Sequence, residues 1–595
     1  MPPAAQVAAW IAQFESALAR GEISALPELF DEHCYWRDLL PFTWNIRTLE
    51  GRDAIYAMLN ARLAIVRPHA WRVDGQATLT DGGVEAFLTF QTAVARGIGH
   101  VRLRNGRAVT LLTAMSELKG HEERRGGTRE IGAEHGAIRG RTTWLDRRTR
   151  EQAELGHARQ PYVVIVGGGQ GGIGLGARLK MLGVPTIILE ANPRPGDSWR
   201  RRYASLCLHD PVWYDHLPYI PFPDHWPVFT PKDKMGDWLE MYTKVMELDY
   251  WGSSRCTSAT WDDAFGHWEI AVERPAGPVV LRPSHLVLAT GLAGMPKIPR
   301  VPGAERFRGD QHHSSSHPGG AAWAGKRCIV LGAGNSAHDI CVDLWEHGAQ
   351  VTMIQRSPTT VIRSSTIVEQ EIGALYSERA VESGIDVDRA DLIAASMPYA
   401  LQPALGVQAS QRIQAQDADL YQRLRKAGFM VDFGEDGSGL GMKYLRRGSG
   451  YYIDVGASDL IADGRIGLRS GTGLREIRPD RVVLDDGTEL PADLIVYATG
   501  YGTMDAWAER IVSREVADRI GRCWGLGSGM AGDPGPWEGE LRNMWKPTRQ
   551  PGLWFHGGNL AQSRFHSRFL ALQLKARLEG LPTPVYGEPS FCPRD

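Results

Sequence analysis

The chain has 595 residues, of which 43% are hydrophobic and 23% charged, with a formal net charge of −2 and a pI near 6.8. At roughly 150 residues per domain this length implies several units with their own cores. The near-neutral balance, with no Lys/Arg block, speaks against a nucleic-acid or anionic-membrane surface. Seven cysteines, at 34, 207, 256, 328, 341, 523 and 592, are odd in number and never form C-x-x-C, which disfavours a disulfide framework and a dithiol relay. Met1-Pro2-Pro3 opens the chain without a basic stretch, and no apolar run nears the ~18 residues of a bilayer span, so a cytoplasmic protein without membrane partners is expected.

Residues 1–120 read as an α+β unit. Val7, Ala8, Ile11, Phe14 and Leu18 share one face of a helix ending near Arg20. A short helix follows from Ile23 to Phe30, Tyr35–Asp38 begins a strand, and Gly51–Ile55 begins another helix. Between Ala70 and Glu117 the pattern alternates as strands do, in Ala86–Thr92, Gly99–Leu103 and Ala108–Leu118. Helices first and a curled antiparallel sheet afterwards make a cone. The order, with Leu29-Phe30, Tyr35-Trp36-Arg37-Asp38 and Leu49-Glu50-Gly51-Arg52, resembles the nuclear-transport-factor-2-like (SnoaL-like) fold. That fold hosts enzymes, ligand binders and dimerisation modules alike. His33, Trp36, Arg37 and Asp38 either line a pocket or serve as core and surface pairing. Residues 121–158, rich in Gly, Arg and Glu without apolar periodicity, read as a linker.

The first part of a dinucleotide-binding domain is expected over 159–300. Val163-Val164-Ile165-Val166 is a buried strand, Gly167, Gly169 and Gly172 complete G-x-G-x-x-G around Gly171, and Ile173 to Leu182 reads as a helix. The first glycine allows the turn, the second lets backbone approach a pyrophosphate, and the third lets helix pack on strand. A second strand from Pro185 ends at Glu190, whose carboxylate suits an unphosphorylated ribose.

After Pro195-Gly196-Asp197-Ser198-Trp199 the chain resembles class B flavoprotein monooxygenases, the group of flavin-containing and Baeyer-Villiger monooxygenases. There Gly-Gly-Thr/Ser-Trp is usual, so Asp197 is a departure, while Ser198 and Trp199 keep the hydroxyl and indole that the resemblance sets against FAD. Ser205-Leu206-Cys207-Leu208-His209-Asp210 stands where flavin-containing monooxygenases carry Ser-Leu-x-x-Asn, so the resemblance places His209 or Asp210 near the isoalloxazine. A carboxylate donates as the amide does only when protonated. The strand ending in Thr290-Gly291 has a twin ending in Thr499-Gly500, as in flavoproteins with two nucleotide domains.

Phe307-x-Gly309-x-x-x-His313 matches the linker signature of the class, with His317 where Trp, Tyr or Phe is usual. The resemblance makes His313 a hinge residue beside the NADPH pyrophosphate; the alternative is a satisfied structural histidine. A second unit over 301–480 follows: Cys328–Leu331, then Gly332-Ala333-Gly334-Asn335-Ser336-Ala337, a G-x-G-x-x-A turn into a helix. The next strand ends at Gln355-Arg356-Ser357 without an acid, so Arg356 suits a 2′-phosphate. The acidic site predicts FAD and the basic one NADPH, with a partial preference that leaves room for NADH.

An insertion over 361–450 contains the helical segments Thr366–Tyr376, Asp391–Leu401 and Leu420–Ala427 and is expected to roof the substrate entrance; Asp454 to Ile466 and Val482 to Leu490 return to the sheet. Residues 481–595 complete the FAD unit: Leu553–Phe555 enters a glycine turn, and a helix to Leu578 offers its N-terminus, with Asn559, Leu560 and Gln562, to the flavin. The predicted fold class is therefore α/β, two Rossmann-like domains behind an α+β cone. This combination resembles type II flavin-containing monooxygenases. The resemblance implies that NADPH reduces FAD, O2 adds at flavin C4a and the peroxyflavin passes one oxygen atom to a small organic substrate, with His209, Asp210 and His313 as the catalytic candidates, no metal, and a homodimer. It weights Baeyer-Villiger oxidation of ketones over N- or S-oxygenation. An NADPH oxidase or reductase releasing H2O2 and a flavin-bearing binding protein are the other readings.

Overall fold

In the structure, a computed structural model, residues 1–133 and 135–594 are described, with the side chains of 24, 25 and 27 set aside. The predicted linker is thus described but for residue 134, and the last segment but for 595. The N-terminal strands form one sheet in the order Ile46–Glu50, Phe30–Leu39, Arg107–Leu118, Ala95–Arg104, Gly83–Gln91, His69–Thr80. Neighbours are antiparallel except Phe30–Leu39 with Arg107–Leu118. Helix Pro3–Arg20 drives Val7, Trp10, Ile11 and Phe14 into the concave side. Ring contacts fill that interior: Trp10 on Phe14 at 4.7 Å, Phe14 on Trp71 at 5.2 Å, Trp71 on Phe90 at 4.3 Å and Trp36 on Phe42 at 4.8 Å between centroids. Such pairs add roughly 0.5–1.5 kcal/mol each beyond area burial.

The structure differs from expectation over 121–158, where Trp144–Glu154 is a helix. Its start is a capping box, the Thr143 hydroxyl accepting from Asp146 N–H while the Asp146 carboxylate accepts from Thr143 N–H. The helix buries no apolar stripe. Only Arg148 is buried, 2.9 Å from an Asp249 oxygen, so apolar periodicity could not reveal it.

Two parallel five-stranded sheets follow. The first runs Leu553–Phe555, His285–Leu288, Val163–Val166, Thr186–Leu189, Tyr250–Trp251, and the second Asp310–His313, Leu494–Tyr497, Arg327–Leu331, Gln350–Gln355, Gly467–Ser470. Val163–Val166, Thr186–Leu189, His285–Leu288 and Leu494–Tyr497 among them are short, mostly apolar runs buried on both faces, as helix-covered parallel sheets require. Three-stranded antiparallel sheets at Arg255–Leu281 and Leu474–Pro491 flank them. The insertion leaves and returns through a parallel two-stranded ribbon, Thr360–Arg363 with Tyr451–Asp454, and between them lie helices that include Val387–Ala395, Gln402–Gln416, Ala418–Lys426 and Gly439–Arg447. Within Asp454 to Ile466, expected to return to the sheet, Ala457–Ala462 is helical, and the strand begins at Gly467.

Candidate active site

At the first nucleotide turn Gly167 has φ 113°, and a Cβ there would stand 2.3 Å from the Ala289 carbonyl oxygen. At Gly172 it would stand 1.9 Å from the Gly167 oxygen, so neither position admits a side chain. Gly169 is open, with only Ser198 Oγ 3.8 Å from a Cβ there, and begins helix Gln170–Met181; Gly171 backs on the His556 ring. Exposed backbone at a helix start is an anion cradle. Glu190 Oε2 accepts from Gly168 N–H at 2.8 Å and Oε1 from Asn192 N–H at 2.8 Å, which fixes the carboxylate and leaves lone pairs for ribose hydroxyls. Trp199 Nε1 donates to Gln170 Oε1 at 3.2 Å. The hydroxyls of Ser198 and of Thr290, beside Gly291, are buried without a partner. Orphaned hydroxyls around a glycine cradle fit a nucleotide that completes them. The departure at Asp197 also has a reason: it accepts from Arg200 Nη1 at 3.0 Å and Arg194 N–H at 3.2 Å, bracing the turn.

At the second turn Gly332 has φ 128°, with the Ala498 oxygen 2.2 Å from a Cβ position. A cleft of about 690 Å³ opens there, lined by Gly332, Gly334, Asn335, Ser336, Ala337, Arg356, Ser357, Thr499 and Gly500, with Lys297, Arg447 and Tyr451 opposite. Asn335 Oδ1 accepts from Ile453 N–H at 2.9 Å, tying the turn to the ribbon that carries Tyr451. Arg356 is exposed at the end of its strand, as a 2′-phosphate anchor must be.

His313 is buried, with Nε2 on the Gly500 carbonyl at 3.0 Å and Nδ1 accepting from Ser315 N–H at 3.1 Å. Both nitrogens are engaged with backbone, joining the linker signature to the Thr499-Gly500 turn. His317 is also sealed, 3.2 Å from Asp343 Oδ2 and 3.0 Å from the His312 ring, against Trp323, so polar partners accommodate a histidine where the class carries an aromatic ring.

His209 and Asp210 diverge. His209 Nε2 lies 3.3 Å from Asp339 Oδ2, to which Tyr203 OH donates at 2.7 Å; Asp339 belongs to the helix Asn335–Glu346 of the second nucleotide site. Burial disfavours its imidazolium, but Asp339, Asp210 and Asp454 outweigh burial and lift the pKa above the ordinary value. The Asp210 carboxyl is half-buried with no hydrogen-bond partner among the described residues, and desolvation raises its pKa against the opposing charge of His209. Its charge is felt by Tyr214, Tyr444 and Tyr451.

Those tyrosines connect to the terminal helix. Asn559 caps Leu560–Leu578 by accepting from Gln562 N–H at 2.9 Å. Its Nδ2 donates to Tyr214 OH at 3.0 Å, and its N–H donates to Tyr444 OH at 3.0 Å, which donates in turn to Gln562 Oε1 at 2.6 Å. Arg564 roots the Tyr214 loop by donating to the Tyr214 and His216 carbonyls at 2.7 and 2.8 Å while forking onto Asp391. Sequence reasoning named Asn559, Leu560 and Gln562 but missed Tyr214, Tyr444, Tyr451 and Arg564.

Two glycine turns on parallel sheets, one followed by Glu190 and the other by Arg356, have the arrangement expected of two dinucleotide sites. A family model described as FMO-like, flavin-binding monooxygenase-like, matches residues 207–379. Over 344 residues the chain is 30% identical to an indole-3-pyruvate monooxygenase, YUCCA1 of Oryza sativa subsp. japonica, spanning 57% of this chain and 77% of that one. Among solved structures, cyclohexanone monooxygenase in its open form is 18% identical with a TM-score of 0.51, over 71% of this chain and 88% of that one. OTEMO in complex with FAD and NADP is 17% identical with a TM-score of 0.50, over 71% and 85%. These likenesses are of fold. The chain belongs to the class B flavoprotein monooxygenases and is a flavin-containing monooxygenase. Among the described residues no helix is long and apolar enough to cross a membrane, and no group of three or more His, Cys, Asp or Glu is placed to hold a metal ion.

Proposed function

We propose that the enzyme oxygenates a carbonyl compound, converting a ketone into an ester or lactone. The observation that carries this reading is the Asp210 carboxyl, half-buried and without a hydrogen-bond partner among the described residues, its pKa raised by desolvation. In its protonated form such a carboxyl is a donor, and a carbonyl oxygen is the acceptor it suits. The printed names of the relatives point the same way, since indole-3-pyruvate and cyclohexanone are both carbonyl compounds.

Bound FAD, reduced by NADPH, supplies the electrons and the position at which O2 is activated. The turn at Gly167, Gly169 and Gly172, with Glu190, Ser198 and Thr290, would hold FAD; the turn at Gly332 and Gly334, with Arg356 and Ser357, would hold NADPH. Asp210 donates to the substrate carbonyl, polarising it and holding its proton at the carboxyl oxygen. Asn559 and Tyr444 fix the start of the terminal helix, and His209 holds the Asp210 loop against the second nucleotide helix. His313 serves as a hinge, keeping the linker on the Thr499-Gly500 turn. The insertion roofs the entrance, an assignment supported by Tyr444 and Asp391 reaching the site from it. One ketone, one O2, one NADPH and one proton yield ester, water and NADP+.

We assign residues 1–120 to the nuclear-transport-factor-2-like fold on strand order, with a role in holding the assembly together, and expect a homodimer, which light scattering tests. For the reaction, a panel of ketones and sulfides is incubated with enzyme, NADPH and O2. Ester formation from ketones carries the reading; sulfoxides alone would replace it with heteroatom oxygenation, and H2O2 alone with an oxidase.

A further inference from the structure

Besides the Tyr451 hydroxyl, which has no hydrogen-bond partner among the described residues, the cluster between the two nucleotide sites holds two hydrogen-bonding groups that the fold leaves uncommitted. One is Asp210. The other is the Tyr214 hydroxyl, which accepts from Asn559 Nδ2 at 3.0 Å and has no acceptor for its own proton among the described residues. The neighbouring Tyr444 contrasts with it: its hydroxyl both accepts, from Asn559 N–H, and donates, to Gln562 Oε1, and is thereby spent on the helix cap.

Tyr214 is also held unusually well for a loop residue. Its carbonyl and that of His216 receive Arg564 Nη1, itself fixed by the buried Asp391 carboxylate, and its ring meets Tyr376 edge-on at 4.9 Å between centroids. The side chain is only half-buried despite this anchoring, so it borders open space. Asn559 orients the phenol, because with one lone pair occupied by its N–H the hydroxyl proton is directed away from the helix. An oriented, half-buried donor with no protein acceptor among the described residues is placed to meet an acceptor from the ligand.

We propose that Tyr214 determines substrate specificity by donating its hydroxyl proton to the oxygen of a carbonyl-bearing substrate. This rests on the reading of the site as a carbonyl oxygenase. A ligand lacking that oxygen leaves the hydroxyl unpaired, a penalty that discriminates more strongly than lost apolar contact.

Binding measured without turnover separates this inference from the reaction. The FAD-loaded enzyme with NADP+ is titrated with acetophenone and with ethylbenzene, which differ by the carbonyl oxygen, following the flavin absorption spectrum anaerobically. Wild type is expected to bind acetophenone about tenfold tighter, and Tyr214→Phe to lose most of that preference, keeping only the part Asp210 supplies. If Tyr214→Phe keeps the preference, or wild type shows none, the proposal is overturned. It is overturned equally if Tyr214→Phe loses its flavin or is reduced by NADPH at an altered rate, since the hydroxyl would then serve the cofactor or the fold. If wild type shows the preference and Tyr214→Phe loses it, yet no ester forms, Tyr214 stands as the donor and only the proposed reaction falls.

Discussion

Arg37 and Glu540 meet across 503 residues in a two-pronged ion pair, Nε and Nη2 each 2.7 Å from a carboxylate oxygen, with both side chains 3% exposed. The carboxylate also accepts from Thr48 Oγ1 at 2.7 Å, and Arg37 Nη1 donates to the Ala395 carbonyl at 2.9 Å, beneath the Tyr399 ring. One guanidinium thereby pins the N-terminal sheet to both the insertion and the C-terminal segment. Glu540→Ala leaves that guanidinium buried and uncompensated, a loss of about 3–5 kcal/mol. Urea unfolding followed by tryptophan fluorescence checks it; a midpoint unchanged from wild type would contradict the pinning.

The two nucleotide turns should fail separately. Gly332→Ala places a Cβ 2.2 Å from the Ala498 oxygen, so the protein is expected to isolate yellow, with FAD, yet to resist reduction by NADPH. Gly167→Ala, 2.3 Å from the Ala289 oxygen, is expected to isolate without flavin. Absorbance at the flavin band before and after NADPH distinguishes them, and a colourless Gly332→Ala would show the turns to be interdependent.

Much of this site was readable from the chain itself. The glycine turns, Glu190 and Arg356 are local patterns, because a phosphate cradle and its ribose partner are built within one strand-turn-helix-strand unit. Tyr214, Tyr444 and Arg564 were not readable, since their roles depend on contacts such as Asn559 with Tyr214, 345 residues apart. His33 is exposed, whereas Trp36 donates to Thr113 and Asp38 accepts from Thr113 and Thr43 inside the filled cone, which no tetrapeptide could reveal. Helix Trp144–Glu154 escaped because it carries a cap without an apolar face.

Arg356 should set the choice of donor. Arg356→Ala is expected to raise KM for NADPH about tenfold and leave KM for NADH unchanged, as loss of one phosphate contact does. Equal rises for both donors would move the residue away from the 2′-phosphate.

Acid should loosen the first nucleotide sheet. His285 Nδ1 accepts from Trp554 Nε1 and its other nitrogen lies 3.2 Å from Tyr162 OH, and burial, with Arg577 adding, lowers its pKa to about 3. The folded state therefore holds the neutral ring while the unfolded chain takes up a proton near the ordinary value of about 6.5. The unfolded state binds more protons throughout that window, so stability is full above it and falls as pH drops from about 6.5 toward 3. Urea midpoints at pH 7, 6 and 5 should decline in that order, and a flat series would contradict it.

Isotope labelling tests the oxygenation of a carbonyl compound most directly. The enzyme with FAD and NADPH is given a ketone under 18O2, and ester, NADPH and H2O2 are quantified by mass spectrometry and absorbance. Ester carrying one labelled atom, formed in proportion to NADPH consumed, is the expected result. Full NADPH consumption with equivalent H2O2 and no labelled ester from any ketone in the panel would contradict it.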